Sequence, residues 1–377
     1  MKSDRLPFDT VWVDAGWLGK DRPVSSSEYD ASDWATTVGD WRVNRTAHPD
    51  GLRPVADAAH AAGFRFLLWV EMERAMPDTP VASEHPDWLL RSRQEPLGLL
   101  LNLGNDEARA WAVEQVARLV REEGIDDYCQ DFNFNTIPYW YGNDAPDRVG
   151  VTEMKHVDGL YRFWDELRAR FPGMLIDNCA SGGRRIDFET NSRSICLYRS
   201  DMLGRPWFDC SEANLMQVAA LSAWVSLHAG GTTVLYGDDY AFFSGVAAGV
   251  EGSIFDERLA VDAGWFRDML MTARRMMACF LGDIYQVGGS PESRRGLYAY
   301  QCHLPDEERG FFAVFRRPEG DEREIVPRLR AIDPAARYEV ETFRSATEIL
   351  PGAELAARRV TLDAPRTVRL VFYRRLR

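Results

Sequence analysis

No Gly-x-Gly-x-x-Gly follows the first apolar run, and no Gly-Lys-Ser/Thr occurs anywhere in the 377 residues. The backbone cradles that hold dinucleotides and nucleoside triphosphates are therefore missing. The six histidines stand singly, without the His-x-His or His-Glu-x-x-His spacing that places two imidazoles on one metal, so no metal and no cofactor is expected. The six cysteines, at 129, 179, 196, 210, 279 and 302, form no Cys-x-x-Cys. Such scatter fits reduced thiols in a cytoplasmic protein rather than a disulfide framework. Positive charge is in deficit: 45 Lys+Arg against 58 Asp+Glu give −13, leaving no basic stripe to displace counterions from a nucleic acid. The opening MKSDRLPFDT has no apolar core of signal-peptide type. The charge-free stretch 213–237 contains Asn214, Gln217, Ser222, Ser226, His228 and Gly230-Gly231, so it reads as a buried helix and strand rather than a membrane span. Neither a nucleic-acid nor a membrane partner is expected.

What is present is a globular composition, 45% hydrophobic and 27% charged, in a chain long enough for a barrel-sized domain plus a small partner. Short apolar runs alternate with amphipathic stretches. Strands are predicted at Thr10–Val13, Phe64–Val70, Leu99–Leu103, Ile125–Cys129, Met174–Ile176, Ser194–Tyr198 and Thr232–Tyr236, with an eighth within 247–256. Helices are predicted at Gly51–Ala62, 106–123 (capped by Asn105 and ended by Gly124), 152–170 and 262–282. This alternation favours a (β/α)8 TIM barrel over an open parallel sheet. From about Gly288 the texture changes to short strands between turns: Leu297–Gln301, Phe311–Phe315, Glu324–Leu329, Tyr338–Thr342, Arg359–Leu362 and Thr367–Tyr373. The predicted organisation is a barrel over 1–287 and an antiparallel β-sandwich over 288–377.

Active-site groups of such a barrel stand at the carboxyl ends of its strands. The first polar residues after the apolar runs are Asp14 in VWVDAGW, Glu71 in FLLWVEMER, Asn102, Asp131 in YCQDFNFN, Asn178 in LIDNCASGGRR and Asp201 in LYRSD. Any one of these alone is usually a cap for the helix that follows. Several aimed at one mouth suit glycoside hydrolysis, which needs one carboxylate to attack the anomeric carbon and another to protonate the leaving oxygen. Trp17, Trp41, Trp69, Tyr139, Trp140 and Tyr141 are candidate sugar platforms; Trp164 and Trp224 sit in helical apolar patterns and are expected to pack. Ser181 is a poor nucleophile candidate, because CASGG is not Gly-x-Ser-x-Gly. The turn from Ser181 through Arg184 and Arg185 could instead bring N–H groups to a phosphate or to a sugar.

DAGW, LLWVEMER, HPDWLL, LNLGN, QDFN, DNCASGGRRIDFE and RSD, in this order, resemble the retaining α-galactosidases of glycoside hydrolase family 36, clan D. The resemblance runs from about residue 8 to 240. It implies Asp131 as nucleophile and Asp201 as general acid/base, facing each other across one sugar ring. It places Asp14 on sugar hydroxyls, Trp17 and Trp69 near the ring, Asn133, Cys179 and Gly182 around the first subsite, and Arg93 on the substrate. With Glu71 and Arg184 these make up the candidate binding set for a small or oligosaccharide substrate. Members often assemble, so a homo-oligomer is admitted. Three positions depart from the family pattern: Ala15 replaces a second Asp, Cys129 a Lys or Arg, and Leu197 a large aromatic. They leave open a sugar-binding homologue that is inactive or of altered specificity. A barrel enzyme of another class, acting on a phospho-sugar, is the remaining alternative, and the acidic Asp238-Asp239 opposes it.

Overall fold

The alternation of apolar runs and amphipathic stretches becomes an α/β architecture in the computed structural model, which describes residues 6–19, 34–94, 98–201, 209–231, 237–252 and 262–377. The chain divides into two compact units, Phe8–Ile195 and Cys196–Arg377, the latter with residues 6–7.

In the first unit the strands are β1 (Thr10–Val13), β2 (Arg65–Val70), β3 (Arg74–Ala75), β4 (Leu89–Leu90), β5 (Leu99–Leu101), β6 (Asp127–Gln130) and β7 (Ile176–Asn178). β1, β2, β6 and β7 lie side by side and parallel, with Trp69 beside Cys129 and Cys129 beside Asp177. Helices Arg53–Ala61, Asp106–Glu123 and Val151–Arg170 carry the chain back between them, since parallel neighbours need long crossovers. The middle helix is closed at both ends as its sequence dictates. Asn105 Oδ1 accepts the N–H groups of Glu107 and Ala108, and Gly124 is left-handed at φ 75°.

One expected parallel strand is corrected. Leu99–Leu101 is a strand, but it pairs antiparallel with β3 and β4 in a separate three-stranded sheet, and β2 neighbours β6 directly. A short apolar run reports burial, not the partner it will find. Residues 194–198 form no strand. Ile195 makes a single parallel bridge to Asp177.

In the second unit β8 (Ala229–Gly231) and β9 (Gly249–Glu251) form a parallel pair, and Cys196 bridges His228. The expected strand at Thr232–Tyr236 and part of the 247–256 window lie outside the described residues. Helix Ala263–Cys279 falls within the expected 262–282 and helix Ser211–Leu221 overlaps the expected helical part of 213–237, whereas helix Asp239–Gly245 has no counterpart in the sequence expectations. The rest is antiparallel: β10 (Asp283–Gly288), β11 (Leu297–Leu304), β12 (Arg309–Arg316), β13 (Glu324–Ile325), β14 (Arg337–Thr342), β15 (Thr347–Pro351), β16 (Val360–Thr361) and β17 (Thr367–Arg375). Six of them run in the order β10-β11-β12-β17-β14-β15, and β13 and β16 pair separately. Ile325 and Val360 of that ribbon pack with Val287, Leu297, Phe312, Val340 and Val371 in one core. Among the described residues no helix is long and apolar enough to cross a membrane. All six cysteines are buried thiols outside any disulfide.

Candidate active site

Asp131 follows the last residue of β6, and its N–H donates to Val70 O of the neighbouring strand at 3.0 Å. That bond places its carboxylate at the carboxyl end of the parallel sheet, where it is 7% exposed. A buried carboxylate needs donors, and four converge here. Oδ1 accepts the N–H of Phe132 at 2.6 Å and of Ser181 at 3.1 Å. Oδ2 accepts Trp69 Nε1–H at 3.0 Å and the Asn133 side-chain amide. The Cys179 thiol also hydrogen-bonds to it; burial first, then the Asp131 charge, pushes that thiol's pKa well above its usual value. Beneath lies Cys129, fully buried and hydrogen-bonded to Asp177, its pKa likewise raised by burial and by the nearby acids. Alternation along the strand puts Cys129 and Asp131 on one face.

The turn that supplies the Ser181 N–H is tight. Ser181 (φ 50°) and Gly182 (φ 79°) are both left-handed, and Ala180 N–H donates to Gly182 O at 2.7 Å. Two arginines hold it. Arg184 donates to Ala180 O, Phe132 O and Ser181 Oγ, each at 2.8 Å. Arg185 donates to Cys179 O at 3.0 Å and to Glu73 at 2.5 Å, with its cation over the Phe132 ring. The Ser181 N–H and these guanidinium donors are thus spent within the protein rather than left for a phosphate.

Glu71 and Glu73 leave β2 on opposite errands. Glu71, with no exposed surface, accepts the Asn133 N–H at 2.6 Å and lies 3.1 Å from Arg74. Burial outweighs that cation, and the Asp131 charge adds to it, so its pKa is pushed up to about 8. Burial would raise Glu73 as well, but Arg185 and His156 overcome it and hold its pKa at about 2. His156 Nε2 is 2.9 Å away, and Gln130 donates to the same carboxylate at 2.7 Å.

The other expected residues are placed as follows. Asp14 directly follows β1, half-buried at the same sheet end, and accepts the Ala15 N–H at 2.7 Å. Trp17 and Trp69 are 1% and 3% exposed; Trp17 Nε1–H donates to Trp69 O at 2.8 Å, so Trp17 holds the backbone of the residue whose indole binds Asp131. Arg93 and Arg184 are exposed, Asn133 half-buried, Cys179 and Gly182 buried. Asn102 ends an antiparallel strand and accepts the Gly104 N–H at 3.1 Å, a loop bond away from the parallel sheet. Asn178 is buried at the end of β7, its amide on Arg185 O. Asp201 lies in the second unit, exposed, at a turn. Arg199, two residues earlier, is buried and bonded to Ala229 O, His228, Gln217 and Asn214. Trp41 and Tyr139 are buried, Tyr141 is exposed, and Trp164 packs with its Nε1–H on Gln130. Trp224 does not pack as expected: it follows the end of its helix, 75% exposed.

Comparison with known proteins decides the family. A sequence model of the melibiase family matches residues 2–203. The chain belongs to the melibiase family. Curated family relatives include the α-galactosidase of Escherichia coli, 32% identical over 201 residues (52% of this chain, 26% of that protein). Another is the bifunctional α-galactosidase/sucrose kinase AgaSK of Mediterraneibacter gnavus, 29% identical over 230 residues (59% and 23%). Among solved structures, a variant of the GH36 α-galactosidase AgaA of Geobacillus stearothermophilus in complex with raffinose superposes with a TM-score of 0.80. It is 20% identical over 99% of this chain and 52% of that one. The chain thus spans about half the length of that melibiase structure. Asp14 through Asp201 all fall within the matched segment. Nothing in the sequence singles out Glu73, Gln130 or His156, and Arg185 is marked only as part of the 181–185 turn. Their only signal was a histidine on the apolar face of a predicted helix and a second glutamate two residues after Glu71.

Proposed function

We propose that the chain is a retaining α-glycoside hydrolase acting on terminal α-linked galactose or a close relative of it. The observation that carries this reading is Asp131: a buried carboxylate at a parallel strand end, held by four donors, one of them the Trp69 indole. In this reading the two parallel strand sets belong to one (β/α)8 barrel over 1–287, with 288–377 as the accompanying β-sandwich. Asp131 attacks the anomeric carbon while Asp201 gives its proton to the leaving oxygen. Water then opens the glycosyl–Asp131 ester with Asp201 taking its proton, so the anomeric configuration is retained. Asp14, Glu71, Arg93, Asn133, Cys179, Gly182 and Arg184 shape the subsite, together with Trp17 and Trp69. The relatives' names and the raffinose complex support the sugar class; no cofactor takes part.

Cys129 favours a second reading, altered specificity: a neutral thiol bonded to Asp177 stands below the nucleophile and offers a sugar no cation. One experiment separates the readings. Aryl α- and β-glycosides of several sugars are incubated with the chain, and proton NMR follows the first-formed anomer. An α-galactoside released with retention, lost in Asp131→Ala while its circular dichroism stays native, is the expected result. Inversion, or an unimpaired Asp131→Ala, overturns the assignment; retention on another α-glycoside identifies the altered sugar.

A further inference from the structure

Ser181 stands out in the sequence, yet the chemistry above leaves its hydroxyl without a part. That hydroxyl is the middle of a line of hydrogen bonds ending on Asp131. Arg184 donates to Ser181 Oγ at 2.8 Å. A guanidinium accepts nothing in return, so the Ser181 proton must point elsewhere. Two acceptors are in reach, Asn133 Oδ1 at 2.9 Å and Phe132 O at 3.2 Å. Phe132 O already takes an Arg184 N–H at 2.8 Å, whereas Asn133 Oδ1 has no other donor among the described residues. The shorter bond, to the otherwise unserved oxygen, is the better place for the proton.

An amide whose oxygen is held in this way presents its nitrogen on the other side, and the Asn133 nitrogen donates to Asp131 Oδ2. The Asn133 backbone is fixed as well, its N–H on Glu71 at 2.6 Å. While Asp131 is ionised, its own charge draws the N–H side of the amide toward it. In a glycosyl ester that charge is gone, and only the Ser181 hydroxyl still sets which way the amide faces. A water in its place would serve Asn133 Oδ1 without fixing that direction. A donor on a carboxylate steadies the free anion more than the ester. It therefore gives no help to the attack of Asp131 and does help its departure.

We propose that Ser181 is a positioning residue for the second step: its hydroxyl keeps Asn133 turned so that the amide N–H meets Asp131 as it is released. The role rests on the nucleophile reading of Asp131 above. In that step the water oxygen bonds to the anomeric carbon and the bond from that carbon to Asp131 breaks. Its electron pair returns to the carboxylate, where the Asn133 N–H meets it, and the water proton passes to Asp201.

Ser181→Gly removes the hydroxyl, keeps the backbone N–H on Asp131 and suits φ 50°. Ser181→Ala should behave alike and serves in its place if Ser181→Gly does not fold. Dinitrophenyl α-galactoside, whose leaving group departs without a proton, is followed by rapid mixing. The first turnover is expected to keep the parent's rate within about twofold, and later turnovers to slow about fivefold or more. The burst of dinitrophenolate then grows toward one per chain, and kcat and KM fall together. In an Asn133→Ala chain the same change should slow nothing further. Solvent exchange of the Asn133 side-chain amide hydrogens needs no turnover. Followed by NMR with isotope-labelled asparagine, and identified by its loss in Asn133→Ala, it should quicken about threefold or more in Ser181→Gly. Equal slowing of both phases, or of neither, overturns the role in the second step, and so does a further loss in the Asn133→Ala chain. Unchanged amide exchange overturns the hold itself. An unimpaired Asp131→Ala chain refutes the nucleophile reading, and the role of Ser181 in turnover falls with it, while the exchange still decides the hold.

Discussion

Two glutamates at the exit of β2 answer to pH in opposite directions. Unfolded, both release a proton near pH 4.5; folded, Glu71 holds its proton to about 8 and Glu73 gives its up at about 2. For Glu71 the native state binds the extra proton between those limits, so its contribution is full below pH 4.5 and is lost as the pH rises through 8. For Glu73 the unfolded chain binds the extra proton, so its contribution is full above pH 4.5 and is lost as the pH falls through 2. Each unit of separation corresponds to about 1.4 kcal/mol before relaxation is allowed for. Urea unfolding between pH 4 and pH 9 should show Glu71→Gln flattening the alkaline decline. Glu73→Gln should destabilise at neutral pH by about 3–5 kcal/mol, because it strands Arg185 and His156 without their anion. A parent profile that Glu71→Gln leaves unaltered would contradict the placement of that proton.

At the scale of elements, local chemistry was sufficient wherever an element closes on its own residues. Asn105 and Gly124 mark the ends of helix Asp106–Glu123 in the sequence, and both act as the caps expected of them. Asn105→Ala should cost about 1 kcal/mol, two N–H groups losing their acceptor. Gly124→Ala should cost about 1 kcal/mol or more: the backbone is left-handed, and the added Cβ would stand 2.6 Å from Arg53 Nη1 and 3.1 Å from Ala56 Cβ. Shifts in the urea midpoint check both. Elements whose identity depends on a remote partner were not legible. Leu99–Leu101 reads as one more parallel strand, yet it pairs antiparallel with two-residue strands too short to leave a pattern. β8 is Ala-Gly-Gly, which carries no hydrophobic signal. Its glycine is required because a Cβ at Gly230 would meet Gly245 O at 1.9 Å.

Across the whole molecule, all six thiols are buried and outside any disulfide, with Cys129 on β6, Cys302 on β11, Cys279 on helix Ala263–Cys279, and Cys179, Cys196 and Cys210 in connecting backbone. A thiol reagent should therefore label native protein slowly and all six sites once urea unfolds it, and a reducing agent should leave the melting temperature unchanged. Rapid native labelling would contradict their burial. The sequence by itself determined much of the alternation of strands and helices, the capped helix ends, the change to antiparallel texture and the strand-end acids Asp14, Glu71 and Asp131, because each is written in spacing over a few residues. The tertiary structure alone decided what surrounds them. Asp131 is held by residues 69, 133 and 181, and Glu73 is discharged onto residues 156 and 185. Burial and distance set those bonds and the two opposite proton affinities, and neither quantity exists until segments far apart in the chain are brought together.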